Sequence, residues 1–157
     1  HSNIEIVDII SAADMLSVVI DKFNEMDIGI FAAAVSDFKP TITAKNKVKK
    51  SQVNIDLKLE PTIDILSQIS LNKKKSQYIV GFALETNNEI ENAKTKLKNK
   101  KLDLIVLNSL NDKGAGFSFN TNKITIIDSK NNIELYETKS KDDVAKDIFD
   151  KILKLKK

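Results

Sequence analysis

A chain of 157 residues suits one compact domain and buries roughly two thirds of its unfolded surface, so a real core is expected. With 41% hydrophobic and 30% charged residues, and no apolar run near the ~18 to 20 residues of a membrane span, it reads as soluble and globular, with no membrane partner. The 25 basic residues, all lysine, are interleaved with 22 acidic ones; the net charge of +3 is too small to mark a nucleic-acid protein, and the lack of cysteine excludes disulfides, a thiol nucleophile and a thiolate metal site. The first residues, "HSNIEIVD", show neither the basic nor the apolar segment of a signal peptide, which points to the cytoplasm. His1 reads as a tag remnant or a chance terminus rather than a ligand.

In chain order, "IEIVDI" (4–9) is short and β-branched and predicts a strand. Ser11 opens a helix in which Met15, Val18, Val19 and Phe23 fall at helical spacing. "IGIFAAAV" (28–35) is continuously apolar, as expected of a strand in the middle of a sheet covered on both faces. It exits through Ser36, Asp37 and Pro40 into a loop with lysines at 45, 47, 49 and 50. "VNIDLKL" (53–59) alternates with period two and predicts an antiparallel or peripheral strand. "TIDILSQISL" (62–71) predicts a short helix capped by Thr62, and "YIVGFAL" (78–84) a second buried strand.

An amphipathic helix follows over 86–101, with Ile90, Ala93 and Leu97 on one face, and leads into the apolar strand "LDLIVLN" (102–108). Residues 109–122 read as a loop containing Gly114 and Gly116. "KITIID" and "IELYET" flank "SKNN" as a hairpin, and "KDDVAKDIFDKILKL" closes the chain as an amphipathic helix. This alternation predicts a single α/β domain over residues 1–157 with a mainly parallel sheet and a small antiparallel extension. Ligands in such folds bind outside the carboxyl ends of the strands, here Ala34 to Asp37, Phe82 to Asn87, and Leu107 to Asn108.

None of the four glycines builds a phosphate loop of the G-x-G-x-x-G or G-x-x-x-x-G-K-[ST] kind. No metal-ligand cluster and no Ser, His, Asp set is legible, so no metal-binding residue is assigned.

"AAAVSDFKP" followed by "KNKVKK", then "TIDIL", "VGFALETNN", the helix into "LDLIVLN" and the "GFSFNTNKITII" hairpin, in that order across the chain, resemble phosphopantothenoylcysteine synthetase. In bacteria that family is usually the C-terminal half of a bifunctional flavoprotein of coenzyme A biosynthesis. The resemblance implies a three-layer, Rossmann-like fold. It also implies a CTP-dependent ligase joining 4′-phosphopantothenate to L-cysteine through an acyl-cytidylate, with release of pyrophosphate and CMP. Family members use CTP in bacteria and ATP in eukaryotes. Mg²⁺ would accompany the nucleotide, no flavin would bind this chain, and a flavin-dependent decarboxylase domain would be a fused or separate partner. A homodimer is expected, pairing through "VNIDLKL" and the hairpin.

By matching position, Lys47 corresponds to an important lysine in a mobile flap, residues 36–51, that covers the nucleotide. On its own chemistry it is a solvated loop lysine. Asp37 matches a nucleotide-contacting acid, with a turn-initiating aspartate as the alternative. Ile30, Phe31 and Ala32 align with a base-recognition segment acting through the backbone, although their own pattern says core strand. Phe82 aligns with a nucleotide-contacting aromatic, with an ordinary core phenylalanine as the alternative, and Lys96 and Lys100 with two phosphate-side lysines, with the wet face of a lysine-rich helix as the alternative. Their i, i+4 spacing puts both ammonium groups on one helix face, which is mildly unfavourable without an anion between them.

Glu60, Pro61, Thr62 and Ile63 also align with nucleotide contacts. Here the sequence departs from the family's usual Asn-Pro-Asp or Thr-Pro-Asp before Ile, with "TID" in its place. Nothing in residues 1–30 matches the family's Gly-Pro-Thr loop and Arg-x-Ile-x-Asn-x-Ser-Ser-Gly segment. The first strand, loop and helix of the family are therefore expected to be missing, and the chain to be a truncation, a proteolytic product or the ordered part of a longer polypeptide. Two further function classes stay open: a non-catalytic dimerisation or regulatory piece of the enzyme, and a basic nucleic-acid module built on Lys45 to Lys50 and Lys94 to Lys101. The lack of arginine argues against the latter, and no nucleic-acid partner is expected.

Overall fold

A computed structural model describes residues 3–44, 46, 47, 56–109 and 119–156. Helix α1 (Ala12–Phe23) begins where Ser11 predicts it, in a capping box. The Ser11 hydroxyl accepts from the Asp14 amide at 3.1 Å, and the Asp14 carboxylate accepts from the Ser11 amide at 2.9 Å. Residues 4–9, expected as a strand, are not one. No described strand lies beside them to take up their backbone hydrogen bonds, and Ile6 and Ile10 are 82% and 101% exposed.

The main sheet has five strands in the order β1 (Ile28–Phe31), β4 (Tyr78–Glu85), β5 (Leu104–Ser109), β7 (Ile124–Asp128), β8 (Ile133–Leu135). The first three are parallel, and β7 and β8 run antiparallel to their neighbours. The expected antiparallel addition is thus an extension of the sheet itself. In the hairpin proposed for dimer contact, β7 is internal and buried, so only β8 offers an edge.

Two corrections concern the strand expected over 28–35 in the middle of the sheet. It is only Ile28–Phe31, and it lies at the edge, paired with β4 alone. The register with β4 ends at Phe31 opposite Gly81, after which the exposed alanines 32–34 leave the sheet. They lead into β2 (Phe38–Pro40), which pairs antiparallel with β3 (Leu59–Pro61) as a separate ribbon. Lys39 faces Glu60 across this ribbon at 3.1 Å.

The strand expected over 53–59 therefore appears one segment later. Residues 56–58 are not strand and 53–55 lie outside the described residues. Backbone bonds from Thr41 to the Lys58 carbonyl at 3.0 Å and from Thr62 to the Asp37 carbonyl at 2.8 Å flank the ribbon, which puts Pro40 and Pro61 where an N–H would face outward; the missing donors suit outer edges that pair with no further described strand. Of the expected flap, residues 38–40 belong to this ribbon, while 45 and 48–51 lie outside the described residues. Most of the expected 109–122 loop, with Gly114 and Gly116, also lies outside them.

Helix α2 (Ile65–Leu71) is capped by Asp64 rather than Thr62. The amide of Thr62 is already bonded to the Asp37 carbonyl at 2.8 Å, whereas the Asp64 carboxylate accepts from the Ser67 amide at 3.1 Å. Helices α3 (Glu89–Asn99) and α4 (Lys141–Leu155) match expectation, and a small ribbon of β6 (Thr121–Asn122) and β9 (Lys139–Ser140) precedes α4.

Strand alternation sorts the core into two clusters on opposite sheet faces. Ile79, Ala83, Ile105 and Leu107 pack toward α1, α2 and α3, whereas Val80, Leu104, Val106 and Ile126 pack toward Val144, Ile148 and Ile152 of α4. The result is helices, sheet, helix: three layers. At Gly81 the helical layer approaches closely, since a Cβ there would lie 2.7 Å from Leu102 Cδ1 and 3.0 Å from Leu66 Cδ2.

Candidate nucleotide-binding cleft

Where β1 leaves the sheet, a cleft of about 170 Å³ opens between α1, the 33–37 segment, the start of α2 and α3. Of the sequence-predicted residues, Phe31, Asp37, Thr62 and Ile63 line it from one side, and Phe82, Lys96 and Lys100 from the other. It adjoins an apolar groove of about 450 Å³ lined by Ile9, Ile10, Ala12, Ala13 and Phe38, and the two share Met15, Ala33, Val35, Ser36, Thr62 and Ile63.

Helix α3 positions the two lysines. Ala93 and Leu97 anchor its inner face, which turns Lys96 and Lys100, one turn apart, along the cleft wall. Lys96 Nζ donates to the Phe82 carbonyl at 3.0 Å, and Lys100 Nζ pairs with Asp64 at 2.9 Å. Burial lowers the Lys96 pKa and the neighbouring Lys100 charge lowers it further, against the opposing pull of Glu85, Asp37 and Asp64. Burial pushes the Asp64 carboxyl up, but hydrogen bonds from Lys100 and Ser67 outweigh it and hold the group below the usual carboxylate range. The hydroxyl oxygen of Thr62 is buried without a hydrogen-bond partner. A partly buried ammonium, a lysine on a flexible stem and an unsatisfied hydroxyl together make a cleft that can accept a polar, anionic ligand.

The other predicted residues lie elsewhere. Ile30 is 48% exposed and, two residues from Ile28, shares its α4-side face of the edge strand. Ala32 is exposed, Glu60 is engaged by Lys39, and Pro61 sits opposite Phe38 in the ribbon. Lys47 is exposed in the segment that follows β2. Phe82 enters the cleft through its backbone, as its ring packs with the α4-side cluster.

Sequence reasoning missed Asp64, which caps α2 and holds Lys100. The signal was present: an aspartate three residues before Ser67 and directly before an apolar helical run is an N-cap pattern. Ser36 falls in the Ala34 to Asp37 strand end expected to face a ligand, whereas Met15, read only as part of the apolar face of α1, was not singled out, because its approach depends on the path of the chain after β1.

Among the described residues no group of three or more His, Cys, Asp or Glu side chains could hold a metal ion, and no helix is long and apolar enough to cross a membrane.

Residues 1–155 match the family model described as the DNA/pantothenate metabolism flavoprotein C-terminal domain. A protein named cysteine/cysteine sulfinic acid decarboxylase, from an unknown prokaryotic organism, is 52% identical over 98% of this chain and 43% of its own length. The coenzyme A biosynthesis bifunctional protein CoaBC of Bacillus subtilis (strain 168) is 40% identical over 98% of the chain and 37% of its own length. The chain thus spans about two fifths of the length of these relatives. The crystal structure of the C-terminal domain of a CoaBC protein superposes with a TM-score of 0.75 at 32% identity, covering 95% of this chain and 66% of that one. The DNA/pantothenate metabolism flavoprotein from Streptococcus pneumoniae shares the fold, with a TM-score of 0.79 at 20% identity. The chain belongs to the family of DNA/pantothenate metabolism flavoprotein C-terminal domains.

Proposed function

We propose that this chain is the nucleotide-handling portion of a phosphopantothenate–cysteine ligase in coenzyme A biosynthesis. The observation that carries the reading is the meeting of Lys96, Lys100, Asp37 and Thr62 in one cleft at the carboxyl end of the parallel strands. Relatives named as coenzyme A biosynthesis bifunctional proteins support it.

A carboxylate is a poor electrophile, and activation by CTP solves this. The 4′-phosphopantothenate carboxylate attacks the α-phosphorus, a new O–P bond forms and pyrophosphate leaves. The amine of L-cysteine then displaces CMP from the acyl-cytidylate and forms the amide. In this reading Lys96 and Lys100 bind the phosphates and offset charge on the leaving pyrophosphate. Asp37 orients the ribose, Thr62 gives its hydroxyl to the ligand, and Lys47 closes over the triphosphate. Mg²⁺ bound with the nucleotide would supply neutralisation of phosphate charge; among the described residues Asp37 and Asp64 are the carboxylates on the cleft walls, which fits an ion that would be held largely by phosphates and water.

The enzyme acts in the cytoplasm, as a homodimer whose contact includes the β8 edge with its 78% exposed Leu135, alongside a flavin-dependent decarboxylase domain. The relative named as a decarboxylase matches over 43% of its length, so its named activity is not carried to this chain.

The test is pyrophosphate release with 4′-phosphopantothenate, L-cysteine, Mg²⁺ and either CTP or ATP, for this chain and for a version extended at its N-terminus. Release by either, faster with CTP, is the expected result. No release by either version with either nucleotide overturns the ligase reading.

A further inference from the structure

The two cleft lysines are not equivalent. Lys96 hydrogen-bonds the neutral Phe82 carbonyl and has no ion-pair partner among the described residues, whereas Lys100 is paired with Asp64. The Asp64 carboxylate is itself pinned. One oxygen accepts the Ser67 amide at 3.1 Å as the cap of α2, and the other accepts the Ser67 hydroxyl at 2.8 Å as well as Lys100 at 2.9 Å. A capped carboxylate cannot follow a ligand, but an ammonium on a four-carbon stem can.

We propose that Asp64 is a positioning residue, the resident counter-ion of Lys100, and that a polyphosphate entering the cleft exchanges with it for that lysine. This rests on the reading of the cleft as a nucleotide phosphate site. Lys96, with no counter-ion at hydrogen-bond distance, draws the anion in. Lys100 then swings from Asp64 to the phosphate, and when a pyrophosphate-sized product departs, Asp64 takes the lysine back. The exchange limits affinity and speeds release, because each phosphate contact made by Lys100 costs one ion pair and each one broken restores it.

The probe is inorganic tripolyphosphate, with affinity measured by calorimetry and dissociation by stopped flow on the chain and its D64N, K100Q and double variants. Asparagine caps helices as well as aspartate, so α2 and the melting temperature are expected to hold in D64N, and D64S keeps a capping side chain should D64N not fold. D64N is expected to bind tripolyphosphate about fivefold more tightly, through slower dissociation, and the gain is expected to vanish in the K100Q background. Unchanged or weaker binding in D64N overturns the exchange, and so does an equal gain without Lys100, which would mean simple repulsion. If the unmodified chain binds no tripolyphosphate, the phosphate-site reading falls and the exchange with it. If it binds and D64N gains nothing, only the exchange falls.

Discussion

Thr62 donates its amide to the carbonyl of Asp37 at 2.8 Å, while its own hydroxyl oxygen is buried without a partner. The backbone bond fixes where the β2–β3 ribbon meets the cleft, and the orphaned hydroxyl is the cost. Because an unsatisfied buried hydroxyl is unfavourable by about 1 to 3 kcal/mol, Thr62→Val is expected to leave the melting temperature unchanged or raise it. The same variant is expected to weaken nucleotide binding severalfold. A clear drop in melting temperature, measured by calorimetry, would show that the hydroxyl serves the fold.

Lys47 is exposed in the segment after β2. Lys47→Gln, in the version that turns over, is expected to lower the rate of pyrophosphate release sharply, with the melting temperature nearly unchanged. A large loss of stability instead would mark it as structural.

Lys96 gives a proton-linked signature. Its pKa is lowered by burial and by Lys100, so at alkaline pH below the usual lysine value the proton is less firmly held than on a free lysine. An anion beside it favours the charged form, so phosphate binding is expected to take up protons at that pH. Calorimetry in buffers of different ionisation enthalpy reads the uptake directly. Lys96→Met is expected to abolish it.

Asp128 holds the β7–β8 turn together. It is 1% exposed and accepts the amides of Lys130 and Asn132, the Asn132 side chain and, at 3.4 Å, Lys151, which also pairs with Glu134 at 2.8 Å. Burial pushes this carboxyl up, but the Asn132, Lys130 and Lys151 hydrogen bonds win and lower its pKa. A carboxyl with a folded pKa below its unfolded value stabilises the protein above the unfolded value, about pH 3.9, and loses that contribution as pH falls toward the folded one. Acid unfolding followed by circular dichroism is therefore expected to steepen below about pH 4. Asp128→Ala leaves Lys151 less compensated and strips the turn, at an expected cost of about 3 kcal/mol in urea denaturation. A cost below 1 kcal/mol would show the cluster to be replaceable.

Local pattern was enough to announce each helix, although it misplaced the start and cap of α2. Ser11 and the spacing of Met15, Val18, Val19 and Phe23 announced α1, and the spacing of Ile90, Ala93 and Leu97 and the amphipathic 141–155 segment announced α3 and α4, because capping and a 3.6-residue period are properties of neighbours along the chain. The apolar runs at 78–84 and 102–108 likewise declared buried strands. The same runs said nothing of neighbours in space. The apolar 28–35 segment read as central, yet β1 is an edge strand, since apolarity reports burial and not which strands stand on either side.

The cleft divides in the same way. The family resemblance singled out Lys96, Lys100, Asp37 and Thr62; spacing added only that a lysine pair at i, i+4 shares a helix face in any helix. Only the tertiary structure brought Asp64 to Lys100, 36 positions away in sequence, and separated Glu60 and Ile30 from the cleft. An ion pair of that kind exists only once α2 and α3 are packed on the same face of the sheet. Long-range contact is decided by packing, and no local period along the chain encodes it.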